Sequence, residues 1–202
     1  MRTVDAIAEI LKREGIEFLS CYPTTPLIEA TSQVGIRPIV CRQERVGVGI
    51  ADGFSRITNG RRIGVFAMQY GPGAENAFSG VATAYSDSVP MLVMPLGYPL
   101  AMSDMPRVFS SVSSYSTITK SAEKLTTAEQ VSEVMHRNFS LLKMGRPGPV
   151  LVELPLDVAV QEIDDSALQY VPVKSSCTAG NPKDIDEAAQ KLINAQNPII
   201  HA

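Results

Sequence analysis

Few side chains in this 202-residue chain are of a kind that does chemistry, and none are grouped as a metal site requires. Cys21, Cys41 and Cys177 are odd in number and far apart, and only His136 and His201 could join them. That spacing suits free thiols in a reducing cytoplasm, not a disulfide frame or a zinc site, so no metal ligands are expected. Two other places stand out. Glu44 follows an apolar run ending at Cys41 and falls in the first turn of a helix expected over residues 43–58. A carboxylate there complements the helix dipole. Gly47, Gly49 and Gly53 then interrupt the same helix, at about 1 kcal/mol each relative to alanine. Something must approach this helix closely: another helix, a ligand or a second subunit. The other place is Gly71-Pro72-Gly73, between an apolar run and a helical stretch, where backbone N–H groups can cradle an anion. As a dinucleotide fingerprint it is incomplete, because Asn76 stands where the third glycine belongs. A tight strand-to-helix turn accounts for it equally well.

The elements around these residues follow from hydrophobic spacing. Val4, Ile7, Ala8 and Leu11 fall on one helical face, and Gly15 stops that helix. Strands are expected over residues 16–22, 37–41, 63–68, 91–96, 115–119 and 150–154. Helices are expected over 43–58, 74–86 and 127–143, with a further short one capped by Thr25 and carrying Pro26 at its first position. Residues 97–114 are rich in Pro, Ser and Met, and a loop that long inside a compact domain is usually functional. Alternation of strands and helices at this spacing implies an α/β fold, a six-stranded, mainly parallel sheet covered on both faces. That domain occupies residues 1–158. Residues 159–182 read as a linker. Residues 183–202 hold one helix and the start of a strand at 198–202, which would open a second domain.

Composition narrows the function. The hydrophobic fraction of 45% is that of a folded chain, and a formal charge of −3 without a basic cluster argues against nucleic acid. The longest uncharged stretch of interest, residues 89–102, is broken by three prolines and a glycine and is too short to span a bilayer. The first residues are not expected to act as a secretory signal, since Asp5, Glu9 and Glu14 interrupt any apolar region.

Several segments together resemble one family. Gln43-Glu44 followed by Ala51-Asp52-Gly53-Phe54-Ser55-Arg56 is similar to the "HE…A-(D/E)-G-Y-A-R" helix of thiamine-diphosphate enzymes. Gly71-Pro72-Gly73-Ala74-Glu75-Asn76 resembles their "SGPGATN", and Ala84-Tyr85-Ser86-Asp87-Ser88-Val89-Pro90 their "A-Y-x-D-S-x-P". Gly145-Arg146-Pro147-Gly148-Pro149-Val150, with Glu153 to Val158, resembles "GRPGPV-x-(V/I)-(D/E)-(I/L)-P-x-D-V". The segments stand in family order and at family spacing over residues 1–158. Together they resemble the N-terminal, pyrimidine-binding domain of the acetolactate synthase and pyruvate decarboxylase superfamily.

The resemblance implies a role for particular residues. Thiamine diphosphate supplies the chemistry at its thiazolium carbon, which attacks a 2-oxo acid or aldehyde. The family's glutamate hydrogen-bonds the aminopyrimidine and favours the tautomer that removes the thiazolium proton; by position that residue is Glu44. A carboxylate shielded from water can share a proton with a ring nitrogen, a role closed to a surface glutamate. Pro23, Thr24, Pro72 and Asn76 should line the pyrimidine pocket, with Gln69 and Phe109 on the substrate side. Departures concern the substrate: Tyr22-Pro23-Thr24-Thr25 stands where acetolactate synthases show "YPGG", Gln43 replaces a histidine, and Phe109-Ser110-Ser111 replaces "FQE". The family holds the diphosphate through Mg2+ on a "GDG…N" segment of a later domain, and this sequence contains no Gly-Asp-Gly. The implied protein is a lyase or carboligase, a homodimer or higher homo-oligomer, with this chain contributing half a site. The contrasting expectation is a non-catalytic nucleotide-binding or assembly subunit that keeps the fold.

Overall fold

The computed structural model describes residues 1–23, 26–103, 105–164, 168–176 and 178–201. In chain order the elements are α1 (Thr3–Arg13), β1 (Phe18–Cys21), α2 (Leu27–Gln33), β2 (Arg37–Val40), α3 (Glu44–Ile57), β3 (Gly64–Met68) and α4 (Pro72–Ser86). There follow β4 (Met91–Gly97), α5 (Ser111–Tyr115), β5 (Ser121–Lys124), α6 (Val131–Lys143), β6 (Val150–Pro155), α7 (Leu156–Ala159) and α8 (Pro182–Asn194). The six strands form one sheet in the order β2-β1-β3-β4-β6-β5, and every pairing is parallel. β3 and β4 are buried along their whole length, which is why they read as continuous apolar runs.

Alternation along the strands divides the core into two layers. Leu19, Val65, Leu92 and Val152 face α1 and α6, while Phe66, Met68, Val93 and Leu151 face α3, α4 and Tyr115. Glycine lets the second layer close. A Cβ on Gly64 would lie 2.0 Å from Ala51 O, and one on Gly80 would lie 2.4 Å from Val48 Cγ1, so α3 sits directly on β3 and α4 directly on α3.

Three local expectations are corrected. Residues 115–119 are not a strand: Tyr115 ends helix α5, and the fifth strand is Ser121–Lys124 at the sheet edge. Its four residues are half-buried and carry no apolar alternation, so periodicity could not reveal it. Pro26 occupies the N-cap of α2, one place before the helix, and its proposed cap Thr25 lies outside the described residues. Residues 198–201 form no strand, since no neighbouring strand offers a ladder.

After α7 the chain runs back across α1. Leu168, Tyr170 and Val173 are buried there, although residues 159–182 read as a linker. The anchor is Glu14, whose side chain is wholly buried. Its carboxylate accepts the Tyr170 hydroxyl, the Lys143 ammonium and, at 2.9 Å, the backbone N–H of Val173. α8 buries none of its own residues.

Candidate functional site

The order of the sheet places β1 and β3 side by side although β2 separates them in sequence. Connections leave these strands in opposite directions, and the crevice at their carboxyl ends is where open α/β sheets bind ligands. Pro23 follows β1 there, and Gln69, Tyr70 and Gly71 follow β3. Gly71 has φ +58° and ψ −115°, a backbone conformation that only glycine adopts readily, and it caps α4 with Pro72 as the first helical residue. The Gly71-Pro72-Gly73 turn thus aims the start of α4 at the start of α3.

Glu44 is the first residue of α3 and only 7% exposed. Asn76 Nδ2 donates to Glu44 Oε2 at 2.8 Å, and among the described residues no donor reaches Oε1. Gly73 lies beside that free oxygen: a Cβ there would come within 2.9 Å of Oε1 and 3.3 Å of Gln69 Cβ. Four residues marked in the sequence therefore converge. Pro72 opens the helix that carries Asn76, Asn76 holds one oxygen of Glu44, and Gln69 borders the bare surface of Gly73 next to the other.

A cleft of about 580 Å³ opens alongside, lined by Pro23, Ile28, Glu29, Val40, Gln69, Tyr70 and Leu96. Tyr70 stacks obliquely on Tyr98, with ring centroids 4.3 Å apart. The sequence reading named neither tyrosine, although both follow strand ends that it identified. Phe109 is half-buried against the layer of Phe66, Met68 and Tyr115 and does not line this cleft. Thr24 lies outside the described residues. A larger cleft, of about 900 Å³, sits among Asn59, Pro90, Gly145 and Ser175 at the amino-terminal end of the sheet, far from Glu44. Position decides against it, because its walls are turns leading into strands, the end of α6 and the stretch after α7, and they hold no carboxylate. Among the described residues no group of three or more His, Cys, Asp or Glu could hold a metal. No described helix is long and apolar enough to cross a membrane.

The glycines of α3 are used in two ways. Gly47 admits Phe66, since a Cβ there would meet its Cε2 at 2.3 Å, so a strand residue and not a helix makes that approach. Gly49 and Gly53 have nothing within 4 Å of a would-be Cβ, and they open a bare strip of helix.

Residues 1–118 match the family described as "Thiamine pyrophosphate enzyme, N-terminal TPP binding domain". The match takes in more than half of the chain, including Glu44, Gln69, the Gly71-Pro72-Gly73 turn, Asn76 and Phe109, and the chain belongs to this family. Among curated proteins, the chain is 30% identical over its whole length to a probable acetolactate synthase large subunit of Methanocaldococcus jannaschii. It is 32% identical, again over its whole length, to the glyoxylate carboligase of Escherichia coli O157:H7. It is 30% identical over 98% of its length to the acetolactate synthase isozyme 3 large subunit of Escherichia coli K12. It spans 35–36% of these relatives, always their N-terminal part.

Proposed function

We propose that this chain is the pyrimidine-binding part of a thiamine-diphosphate-dependent lyase or carboligase acting on 2-oxo acids or related acyl donors. The observation that carries the reading is the state of Glu44: buried, fixed at Oε2 by Asn76, and without a described donor at Oε1, which packs against the bare backbone of Gly73. Bound at this place, the cofactor would supply a thiazolium carbon able to add to a carbonyl. The chain's own part is to hold a proton between Glu44 Oε1 and the aminopyrimidine, away from water. Pro72 and Asn76 shape the pocket around that oxygen. Pro23 is assigned to its other wall, Thr24 is assigned there by its place in the family's motif alone, and Gln69 and Phe109 are assigned to the substrate side.

The diphosphate and its Mg2+ belong, in this reading, to a further domain carrying Gly-Asp-Gly, in cis or on a partner. The bare strip at Gly49 and Gly53, flanked by Val46 and Ile57 at 48% and 83% exposure, supports a second copy of this chain against α3 and α4. Free thiols at Cys21 and Cys41 support a reducing, cytoplasmic setting.

The test is proton exchange at the cofactor. In the full-length protein, Glu44→Gln should slow thiazolium C2–H exchange, followed by NMR in deuterated buffer; unchanged exchange overturns the assignment. For the assembly, Gly49→Leu should leave the chain folded, with cooperative unfolding, and yet abolish dimerisation in sedimentation. A strict monomer before substitution, at high concentration, would count against the dimer.

A further inference from the structure

A second buried carboxylate lies at the carboxyl end of the sheet, on the same face as α3 and α4, and the site above does not use it. Along β6, Val150, Val152 and Leu154 face α1 and α6, whereas Leu151 faces the other layer and Glu153 follows it in alternation. Glu153 is 4% exposed. Its neighbour on β4 is Gly97, where a Cβ would come within 2.9 Å of both Cγ and Oε1 of Glu153. β4 thus forgoes a side chain where β6 inserts a carboxylate.

The partner is Lys124, the last residue of β5, with Nζ 3.3 Å from Glu153 Oε1. The same Nζ donates to Ser103 Oγ at 3.2 Å. Just past β6, Asp157 Oδ2 accepts the backbone N–H of Leu100 at 3.0 Å. The chain leaving β4 is therefore held at two points by groups from β5 and from the residues after β6. A buried ion pair adds little net stability, because desolvation offsets its attraction, and apolar residues would fill the space as well. The pair does provide something they lack, a directional donor aimed at Ser103.

We infer that Lys124 and Glu153 are positioning residues for the segment from Tyr98 to Ser103. Glu153 fixes the Lys124 ammonium, and the ammonium fixes Ser103 over the carboxyl ends of β4 and β6. The consequence for turnover rests on the proposed function; the anchoring does not.

Amide hydrogen exchange on this chain tests the anchoring. Lys124→Met should raise exchange across residues 100–103 by about tenfold or more while amides of α1 and β3 keep their protection. Lys124→Arg, which keeps the charge, should restore most of it. Because Lys124→Met leaves Glu153 buried and unpaired, the double variant Lys124→Met, Glu153→Met provides the folded control and should loosen the same amides. Wild-type exchange at 100–103 in the double variant, or a rise spread evenly over the sheet, overturns the inference. In the full-length protein Lys124→Met should raise KM, leave C2–H exchange unchanged and be rescued by Lys124→Arg. Loss of C2–H exchange would overturn action through the loop. A wild-type protein without turnover would instead overturn the proposed function, with the exchange result on the chain still standing.

Discussion

The side-chain amide of Asn76 reaches across from α4 to Oε2 of Glu44, 2.8 Å away at the head of α3. One oxygen of the carboxylate is thereby committed to structure, and the other, which no described donor reaches, is the one the proposed function gives to the cofactor. A freely rotating glutamate would lose side-chain entropy on each encounter; this one has already lost it.

Glu44→Gln should therefore separate fold from chemistry. The amide oxygen still accepts from Asn76, so the melting temperature should stay close to wild type. The proton-sharing function goes, and cofactor C2–H exchange should fall about 10²–10⁴-fold. A variant that unfolds, or one that exchanges at the wild-type rate, speaks against the division of labour between the two oxygens.

Two glycines within reach of α3 should respond oppositely to alanine. At Gly64 the new methyl meets Ala51 O at 2.0 Å, backbone against backbone, where neither side can yield. We expect Gly64→Ala to destabilise by about 3 kcal/mol, the upper end for overpacking. At Gly49 nothing lies within 4 Å, and Gly49→Ala should stabilise the helix by about 1 kcal/mol. Urea denaturation of the two variants checks the sign of each.

Tyr115 is fully buried, and its hydroxyl donates to Ala74 O in α4. Burial pushes the phenol far above its ordinary value. Tyr115→Phe should cost about 1–2 kcal/mol, the penalty of leaving that carbonyl without its side-chain donor. A difference below a few tenths in chemical denaturation would show that the hydroxyl is dispensable.

Acid should weaken the β5 edge through Glu123. Burial alone would raise its carboxyl, but hydrogen bonds from Arg137, Ser121 and Asn138 outweigh that and hold it below its ordinary value of 4.5. The folded chain binds this proton more weakly than the unfolded one, so the contribution to stability is present above about pH 4.5 and fades as pH falls through the folded value. Glu123→Gln should be less stable than wild type at pH 7, with the gap in urea midpoint closing toward pH 3. A gap independent of pH would refute this.

The parts of this fold that were plain in the sequence are those whose residues answer to one constraint only. β3 and β4 are buried on both sides and read as apolar runs, and Gly71-Pro72-Gly73 reads as a turn because only glycine tolerates its backbone. Residues answering to two constraints were obscure. Lys124 is half in an edge strand and half a ligand for Ser103, so Ser121–Lys124 shows no strand pattern. Tyr115 has the side chain of a strand former but closes a helical turn over α4. At the site, Glu44, Pro72 and Asn76 were marked by the resemblance of their segments to the family's motifs. Their convergence depends on α3 lying against α4, which Val48 and the missing side chain of Gly80 allow. Tyr70 and Tyr98 carried no such mark, because aromatic residues after strands are ordinary. In the stretch after α7, Leu168, Tyr170 and Val173 did give a signal, since with Val171 and Pro172 they make a mostly apolar run within a polar stretch.

The strand order has a consequence for how the chain is made. The first four strands can pair as they emerge, each beside one already present. β5 is made before β6 but has no partner except β6, which completes about thirty residues later. At ordinary rates of synthesis that is a wait of roughly two to six seconds. Through that interval α5 and β5, with Tyr115 and Ala122 destined for the core, have no sheet edge to join. A nascent chain stalled before Val150 should thus show a protected α1–β4 unit and a protease-sensitive remainder, which closes only when the last strand slides in between.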